Sequence, residues 1–438
     1  MITILSAAQP NVPAWLLIPF VLMLLTIALA PVLFAKFWEE NKNKLIVALA
    51  IGIPTACVLT YMGLGKNLTH TMLVDYIPFI ILLGGLFAVT GGIRITGNLL
   101  ATPAVNTTFL AIGSVLASIM GTTGAAMLLI RPLIETNKER RHKTHTILFF
   151  IAAVANCGGL LTPLGDPPLF LLYLRGAHFS WFLHMVPEWA TINAILLVTY
   201  FIMDTMSYKR ENAADLARDV AERTALKITG NINFLWLLGI VLSVAFINEQ
   251  YIPSMGGHDI TIAKFYREFA IIAMIVLSLL TTPKGLRKAN NFTWHPILEV
   301  AYLFIGIFIT MTPALLFLTE HAPALGLTTA KHFYFATGAL SGFLDNAPTA
   351  LAFYSVAQGL QDVDPPLVAG VSETLLTAIS MGAVLFGAMT YIGNGPNFMV
   401  KAIAEENGIK MPSFFRYMTR FSLIILLPIY ILIAIIFL

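Results

Sequence analysis

Residues 156–170, which read Asn-Cys-Gly-Gly-Leu-Leu-Thr-Pro-Leu-Gly-Asp-Pro-Pro-Leu-Phe, constrain the fold more than any other stretch. An apolar run (144–155) leads into them and another (169–174) leaves them. No helix continues cleanly through Pro163, Gly165, Pro167 and Pro168. Proline removes a backbone donor, clashes with the preceding turn and pushes the residue before it towards extended geometry. The sequence therefore predicts a hydrophobic helix broken part-way, with the carboxylate of Asp166 at the break. Irregular backbone at membrane depth survives only where it is buried in protein or lines a cavity. Broken helices near the midplane are how many secondary transporters build ion and substrate sites.

That reading requires a membrane, and composition supplies it. The 438 residues are 58% hydrophobic and only 11% charged, against about 25% charged in soluble domains. An all-α, multi-pass membrane protein in contact with lipid follows. A net charge of +3 gives no footing for a nucleic-acid partner. Cys57 and Cys157 lie in apolar segments and read as small core residues rather than a disulfide or metal pair. With no Cys/His cluster at ligand spacing, no cofactor is expected, and no constellation argues for an enzyme. The first apolar run (15–34) contains Ala28-Leu29-Ala30, which resembles a cleavage site. No basic residue precedes it and it is long enough to span, so it reads as a membrane span.

Runs of about 20 apolar residues mark spanning candidates. Ten are read, at 15–34, 45–62, 73–92, 144–174 with its break, 181–203, 233–247, 265–281, 297–318, 366–399 with a second break, and 415–438. Two further stretches, 107–134 and 333–359, carry polar interruptions midway. Each is too long for one straight crossing and too short for two, so both read as re-entrant hairpins. With the N-terminus outside, the basic residues fall on the inner side: Lys36, Lys42 and Lys44; Arg131, Lys138, Arg140, Arg141 and Lys143; Lys209, Arg210, Arg218, Arg223 and Lys227; Lys284, Arg287 and Lys288. The outer loops are poorer in Lys and Arg; the one after the second hairpin carries Asp362 and Asp364. This is the positive-inside pattern. Residues 211–225, with alternating charges at helical spacing, read as a solvated or interfacial helix within a linker (204–232).

The halves on either side of that linker, 1–203 and 233–438, resemble each other. Gly85-Leu86-Phe87 matches Gly306-Ile307-Phe308. The hairpin tip Gly121-Thr122-Thr123-Gly124-Ala125 matches Leu344-Asp345-Asn346-Ala347-Pro348. The break Leu164-Gly165-Asp166-Pro167-Pro168 matches Ile392-Gly393-Asn394-Gly395-Pro396-Asn397. The offsets, from Gly85 to Gly306, Thr122 to Asp345 and Gly165 to Gly393, are 221, 223 and 228 residues. Each half holds five spans and one hairpin, and an odd number of spans inverts the second copy. Inverted repeats place a site at their interface near the membrane centre.

Asp166 and Asp345 are the sharpest candidates for chemistry. An intramembrane charge costs about 2.5–3.5 kcal/mol on insertion scales and is functional by default. Burial disfavours the charged carboxylate and a bound cation favours it. Such a group holds Na+ or H+ in competition. The bland alternative is that each caps a half-helix. Hard cations want oxygens, and the breaks offer carbonyls around Thr162, Gly165, Gly393 and Gly395, hydroxyls of Thr122, Thr123 and Thr349, and amides of Asn156, Asn346, Asn394 and Asn397. Interhelical hydrogen bonding is the plainer role for each Asn. Glu373, about one helical segment before the second break, is a candidate proton relay.

A re-entrant hairpin followed by a span broken at Gly-Gly…Thr…Gly-x-Pro-Pro, repeated in both halves, resembles the ion transporter superfamily. That group includes NhaD-type sodium/proton antiporters, citrate and dicarboxylate sodium symporters, and arsenite efflux proteins. Residues 121–125, with Gly124, and 345–349 look like its hairpin tips; 158–168 and 389–397 look like its broken helices. Residues 344–349 are closest to antiporter-type members, and the Ser-Asn-Thr tips of dicarboxylate carriers are absent. The resemblance implies a scaffold domain that dimerises, a transport domain that moves elevator-fashion, and a bacterial inner membrane. The function it implies is exchange of Na+ (or Li+) for H+ at Asp166 and Asp345. The alternative is Na+- or H+-coupled symport of citrate or another organic anion. An intramembrane aspartyl protease would also need two aspartates, but Pro163-Leu164-Gly165-Asp166 lacks the first Gly of that motif and the repeat has no role there.

Overall fold

The computed structural model describes residues 12–257, 259–360 and 364–438. The N-terminus, expected outside, and Asp362 lie beyond the described residues. The chain is an all-α, multi-pass membrane protein. Eight helices among the described residues are long and apolar enough to cross a bilayer. In chain order the first elements are α1 (Leu17–Leu33), α2 (Asn41–Tyr61), α3 (Gly65–Thr90) and a short strand β1 (Arg94–Asn98). A hairpin of α4 (Pro103–Met120) and α5 (Thr122–Thr136) follows. The first broken span is α6 (Thr144–Ala153), a tight turn at Cys157–Leu161, and α7 (Pro167–Leu174). Then come α8 (Val186–Tyr208), α9 (Ala213–Ala221) and β2 (Thr224–Thr229).

The second half repeats this order. It has α10 (Ile232–Phe246), α11 (Tyr266–Thr281), α12 (His295–Glu320), a hairpin of α13 (Ala330–Ser341) and α14 (Asn346–Gln358), and a broken span of α15 (Glu373–Phe386), a turn at Gly387–Met389 and α16 (Gly395–Glu406), closed by α17 (Phe414–Phe437). The first and third spans of each half, with α2 and α11 between them, form one group: α12 packs on α1 and α2, and α10 and α11 pack on α3. The hairpins and broken spans form the other. They are exchanged between halves, since α5 packs on α16 and α14 packs on α7.

Polar contacts tie the loops together in separate groups. At the basic end, Lys44 pairs with Glu299 at 2.7 Å, the Asn41 amide donates to the His295 carbonyl at 2.9 Å, and Arg287 donates to the Ala88 carbonyl. Arg140, fully buried, pairs with Asp204 at 2.6 Å, and His145 reaches the same carboxylate at 2.8 Å. At the other end Arg175 pairs with Asp75 at 2.7 Å, and the Trp181 indole donates to Glu373 at 2.9 Å.

Three expectations are corrected. The linker helix covers Ala213–Ala221 rather than 211–225, because Thr224 and Ala225 belong to β2. β2 pairs antiparallel with β1, which the apolar-run reading left as loop; Ile95, Thr96, Thr224, Ile228 and Thr229 are the β-branched residues that suit a paired strand. The ninth span begins at Glu373, not 366. Residues 367–372 form a two-rung strand pair, Leu367–Val368 with Val371–Ser372, turning through Ala369 and Gly370 at positive φ. The hairpins run slightly past their expected bounds, to Pro103–Thr136 overall in the first and Ala330–Gln358 in the second.

Candidate functional site

The site forms where both hairpin tips meet both breaks. α4 turns directly into α5 at Gly121, whose φ of 80° and ψ of 151° lie where a side chain is strained. The turn delivers Thr122 to the first break: its N–H donates to the Gly165 carbonyl at 2.8 Å and its hydroxyl to Asp166 Oδ1 at 2.8 Å. The two limbs of that break cross so tightly that a Cβ on Gly165 would lie 2.0 Å from the Gly159 carbonyl oxygen. Thr162 pins the break to the hairpin by donating to the Ser118 carbonyl, and Ser118 donates to the Gly158 carbonyl at 2.5 Å.

The second half copies this in detail. Thr162 and Thr390 have φ, ψ of −144°, 161° and −140°, 170°; Asp166 and Asn394 have −144°, 145° and −149°, 140°. Thr390 donates to the Gly342 carbonyl at 2.6 Å, and Ser341 to the Ala383 carbonyl at 2.6 Å. A Cβ on Gly393 would meet the Gly387 carbonyl oxygen at 2.6 Å. Ser118, Ser341 and Thr390 were missed by the sequence reading. Extending the repeat three residues upstream of Gly165 and Gly393 pairs Thr162 with Thr390 and was the available signal.

Asp166 sits at the centre, 1% exposed. Oδ1 accepts from Thr122 and from the Asn394 amide at 3.0 Å; Oδ2 accepts from the Asn346 amide. Three donors thus arrive from the first tip, the second break and the second tip, and all are neutral. Among the described residues no Lys, Arg or His pairs with Asp166. The Asn346 Oδ1, in a residue 0% exposed, accepts nothing. Helices α5, α7, α14 and α16 all begin here, and helix N-termini carry partial positive charge that offsets a carboxylate.

The other expected residues are placed differently. Asn156 and Asn397 brace the breaks behind Asp166: the Asn156 amide donates to Asn397 Oδ1 at 2.7 Å, and Asn394 donates to Asn156 Oδ1 at 3.3 Å. Asn397 in turn donates to the Gly387 and Thr390 carbonyls at 2.8 and 2.9 Å. Thr162 and Thr349 are buried, but their hydroxyls donate to backbone, Thr349 to the Asp345 carbonyl at 2.9 Å. Thr123, Gly124 and Gly165 line a cavity of about 80 Å³ between α3, α5 and α12, with Gly124 packed on Thr90. Asp345 caps α14 by accepting the Ala347 N–H at 3.0 Å; it is half-buried and lies within electrostatic reach of Asp166. Glu373 is not brought to the cluster. It starts α15, accepts from Trp181 and faces His184 at 3.9 Å, 17 residues before Thr390, which is about 25 Å along a helix.

A buried carboxylate held only by neutral oxygen- and nitrogen-bearing groups at the crossing of two broken spans can bind a hard cation or a proton. Broken helices that meet in this way are a device of secondary transporters. No curated protein matches the sequence. A family model described as "Putative citrate transport" matches residues 9–438, nearly the whole chain, and the protein is therefore a member of that transporter family.

Proposed function

We propose that this transporter exchanges Na+ for H+, with Asp166 as the group that carries one or the other. The observation behind this reading is the charge asymmetry of the centre: one buried carboxylate, three neutral donors and no basic partner. Such a carboxylate needs a cation or a proton to be stable in a dry site. Na+ prefers oxygen ligands. The Asp166 carboxylate, the unpartnered Asn346 Oδ1 and the Thr122 hydroxyl supply them from both halves, with the Asp345 carboxylate adding negative charge nearby. Protonation of Asp166 removes the charge that holds the cation, so apparent Na+ affinity weakens as pH falls.

The second reading, symport of citrate with Na+ or H+, is favoured by the family description. The cation site is the same in both; they differ in whether an organic anion travels with it. Proteoliposomes with an acid interior and a pH-sensitive dye separate them. External NaCl or LiCl that alkalinises the interior, with KCl silent and labelled citrate excluded, supports exchange. No response to chloride salts, with uptake of labelled citrate in sodium medium, replaces exchange by symport.

A further inference from the structure

A second space, away from the cluster at Asp166, is lined by charged side chains. A cavity of about 540 Å³ opens at the basic end, between β1, α5, the loop before α12 and the end of α16. That volume is within the range of small-molecule sites. Two half-buried arginines line it, Arg94 from β1 and Arg131 from α5. Among the described residues neither guanidinium makes a hydrogen bond, an ion pair or a ring contact. Asn290 and Asn291 also line the cavity; the Asn290 amide is already spent on the Gly91 and Ile93 carbonyls at 3.0 and 2.7 Å. The acids Glu135 and Glu406 stand exposed at its rim.

This cavity and the small one at the first tip lie in sequence along a single seam. α3 lines the small cavity with Leu83, Leu86 and Phe87, then the large one with Thr90 and Gly91. α5 lines the small one with Thr122, Thr123 and Gly124, then the large one with Met127, Leu128 and Arg131. From Thr123 to Arg131 is about 12 Å along the helix. Gly124, which lines the small space, packs on Thr90, which lines the large one. The matching seam of the other half, between α12 and α14 at the opposite end, holds only about 170 Å³, and its Arg175 is already tied to Asp75.

We propose that the large cavity is an anion-collecting vestibule in which Arg94 and Arg131 hold a polyvalent carboxylate before it passes the Gly124–Thr90 contact towards Asp166. This rests on the symport reading above. Guanidinium groups bind carboxylates through paired N–H donors, and these two line one cavity half-desolvated and unpaired, with Glu135 and Glu406 exposed at the rim rather than bonded to them. Substrates of higher negative charge gain most from the pair.

The test uses the full-length protein in detergent for binding of labelled citrate, and in proteoliposomes for uptake. Arg94→Gln with Arg131→Gln is compared with wild type and with Arg223→Gln, an exposed residue outside the cavity. The double variant is expected to weaken citrate binding at least tenfold, with acetate and inorganic phosphate competing poorly in wild type. Asp166→Asn is expected to lose uptake and keep this binding. Citrate uptake with an unchanged KM in the double variant would overturn the vestibule and leave symport standing. Citrate binding that depends on the two arginines, without uptake by wild type, would overturn symport and leave the anion site. Absence of both overturns both.

Discussion

The two breaks have one backbone and two charges. Asp166 and Asn394 occupy equivalent extended positions with dihedrals within about 5° of each other, each follows a glycine crossing, and each precedes a helix that begins with or near proline. Thr162 and Thr390 pin them to their hairpins in the same way. Yet one end of the pair is a carboxylate and the other an amide, and the amide donates to the carboxylate at 3.0 Å. The repeat supplies geometry; its departure from symmetry supplies chemistry. A symmetric pair of aspartates at that distance would force like charges together, whereas Asp with Asn leaves a single site that both halves serve.

The geometric half of that comparison breaks first. Gly165→Ala places a Cβ 2.0 Å from the Gly159 carbonyl oxygen, and both partners are backbone that cannot swing aside. Loss of monodisperse folded protein on size-exclusion chromatography is expected. Gly393→Ala, with its contact at 2.6 Å, should be milder but still destabilising by more than about 3 kcal/mol, at the upper end for steric substitutions. If both variants express and melt like wild type, the crossings are not the rigid frame argued here.

Next comes the charge. Asp166→Asn should keep the fold, because Asn346 has an unpartnered Oδ1 and can turn its amide to accept from the new side-chain NH2. Cation-coupled transport should fall by about 100-fold or more, the scale of removing a transition-critical electrostatic group. The reciprocal change, Asn394→Asp, restores symmetry in sequence and should shift the pH profile, since two carboxylates at about hydrogen-bond distance share one proton or one cation. Transport of Asp166→Asn at the wild-type rate would move the coupling site elsewhere.

The sequence made the frame legible for simple reasons. Apolar runs report helices, Lys and Arg report which ends share a side, and Pro-Gly clusters report breaks. Gly165 with Gly393 and the two tips were visible as a repeat because close backbone approach admits only glycine. The partnerships were not visible. Nothing local tells that Asn346 donates to Asp166 while Asp345 accepts from its own helix start, since the tip's register is set by how α14 packs on α7. Nor does spacing say that Thr162 and Thr349 spend their hydroxyls on backbone carbonyls, or that Glu373 starts its helix rather than approaching the break. The strand pair β1–β2 escaped for the same reason: its partners are separated by more than a hundred residues.

A smaller effect tests how evenly the donors share the charge. Thr122→Val removes the hydroxyl at 2.8 Å from Asp166 Oδ1 while Asn394 still serves that oxygen. A hydrogen bond to a charged group is worth about 1.5–3 kcal/mol, so Na+ affinity should change by about tenfold or more, with the fold intact because Val keeps the shape. An Na+ titration of the exchange rate measures it. No change would mean that Asn394 and Asn346 alone position the carboxylate.

The smallest effect concerns the neighbouring tip acid. Asp345 accepts the Ala347 N–H at 3.0 Å as an N-cap, and Asn caps a helix about as well as Asp. Asp345→Asn should therefore leave melting temperature nearly unchanged. What it removes is a negative charge within electrostatic reach of Asp166. Exchange at saturating Na+ should persist, with apparent Na+ affinity lowered a few-fold. Asp345→Ala adds loss of the cap, typically about 1 kcal/mol, so a lower melting temperature in Ala but not Asn separates capping from charge. If Asp345→Asn abolishes exchange while its fold holds, the second tip carries a full cation ligand. The molecule would then have one essential carboxylate per half, placed at the break in one and at the hairpin in the other.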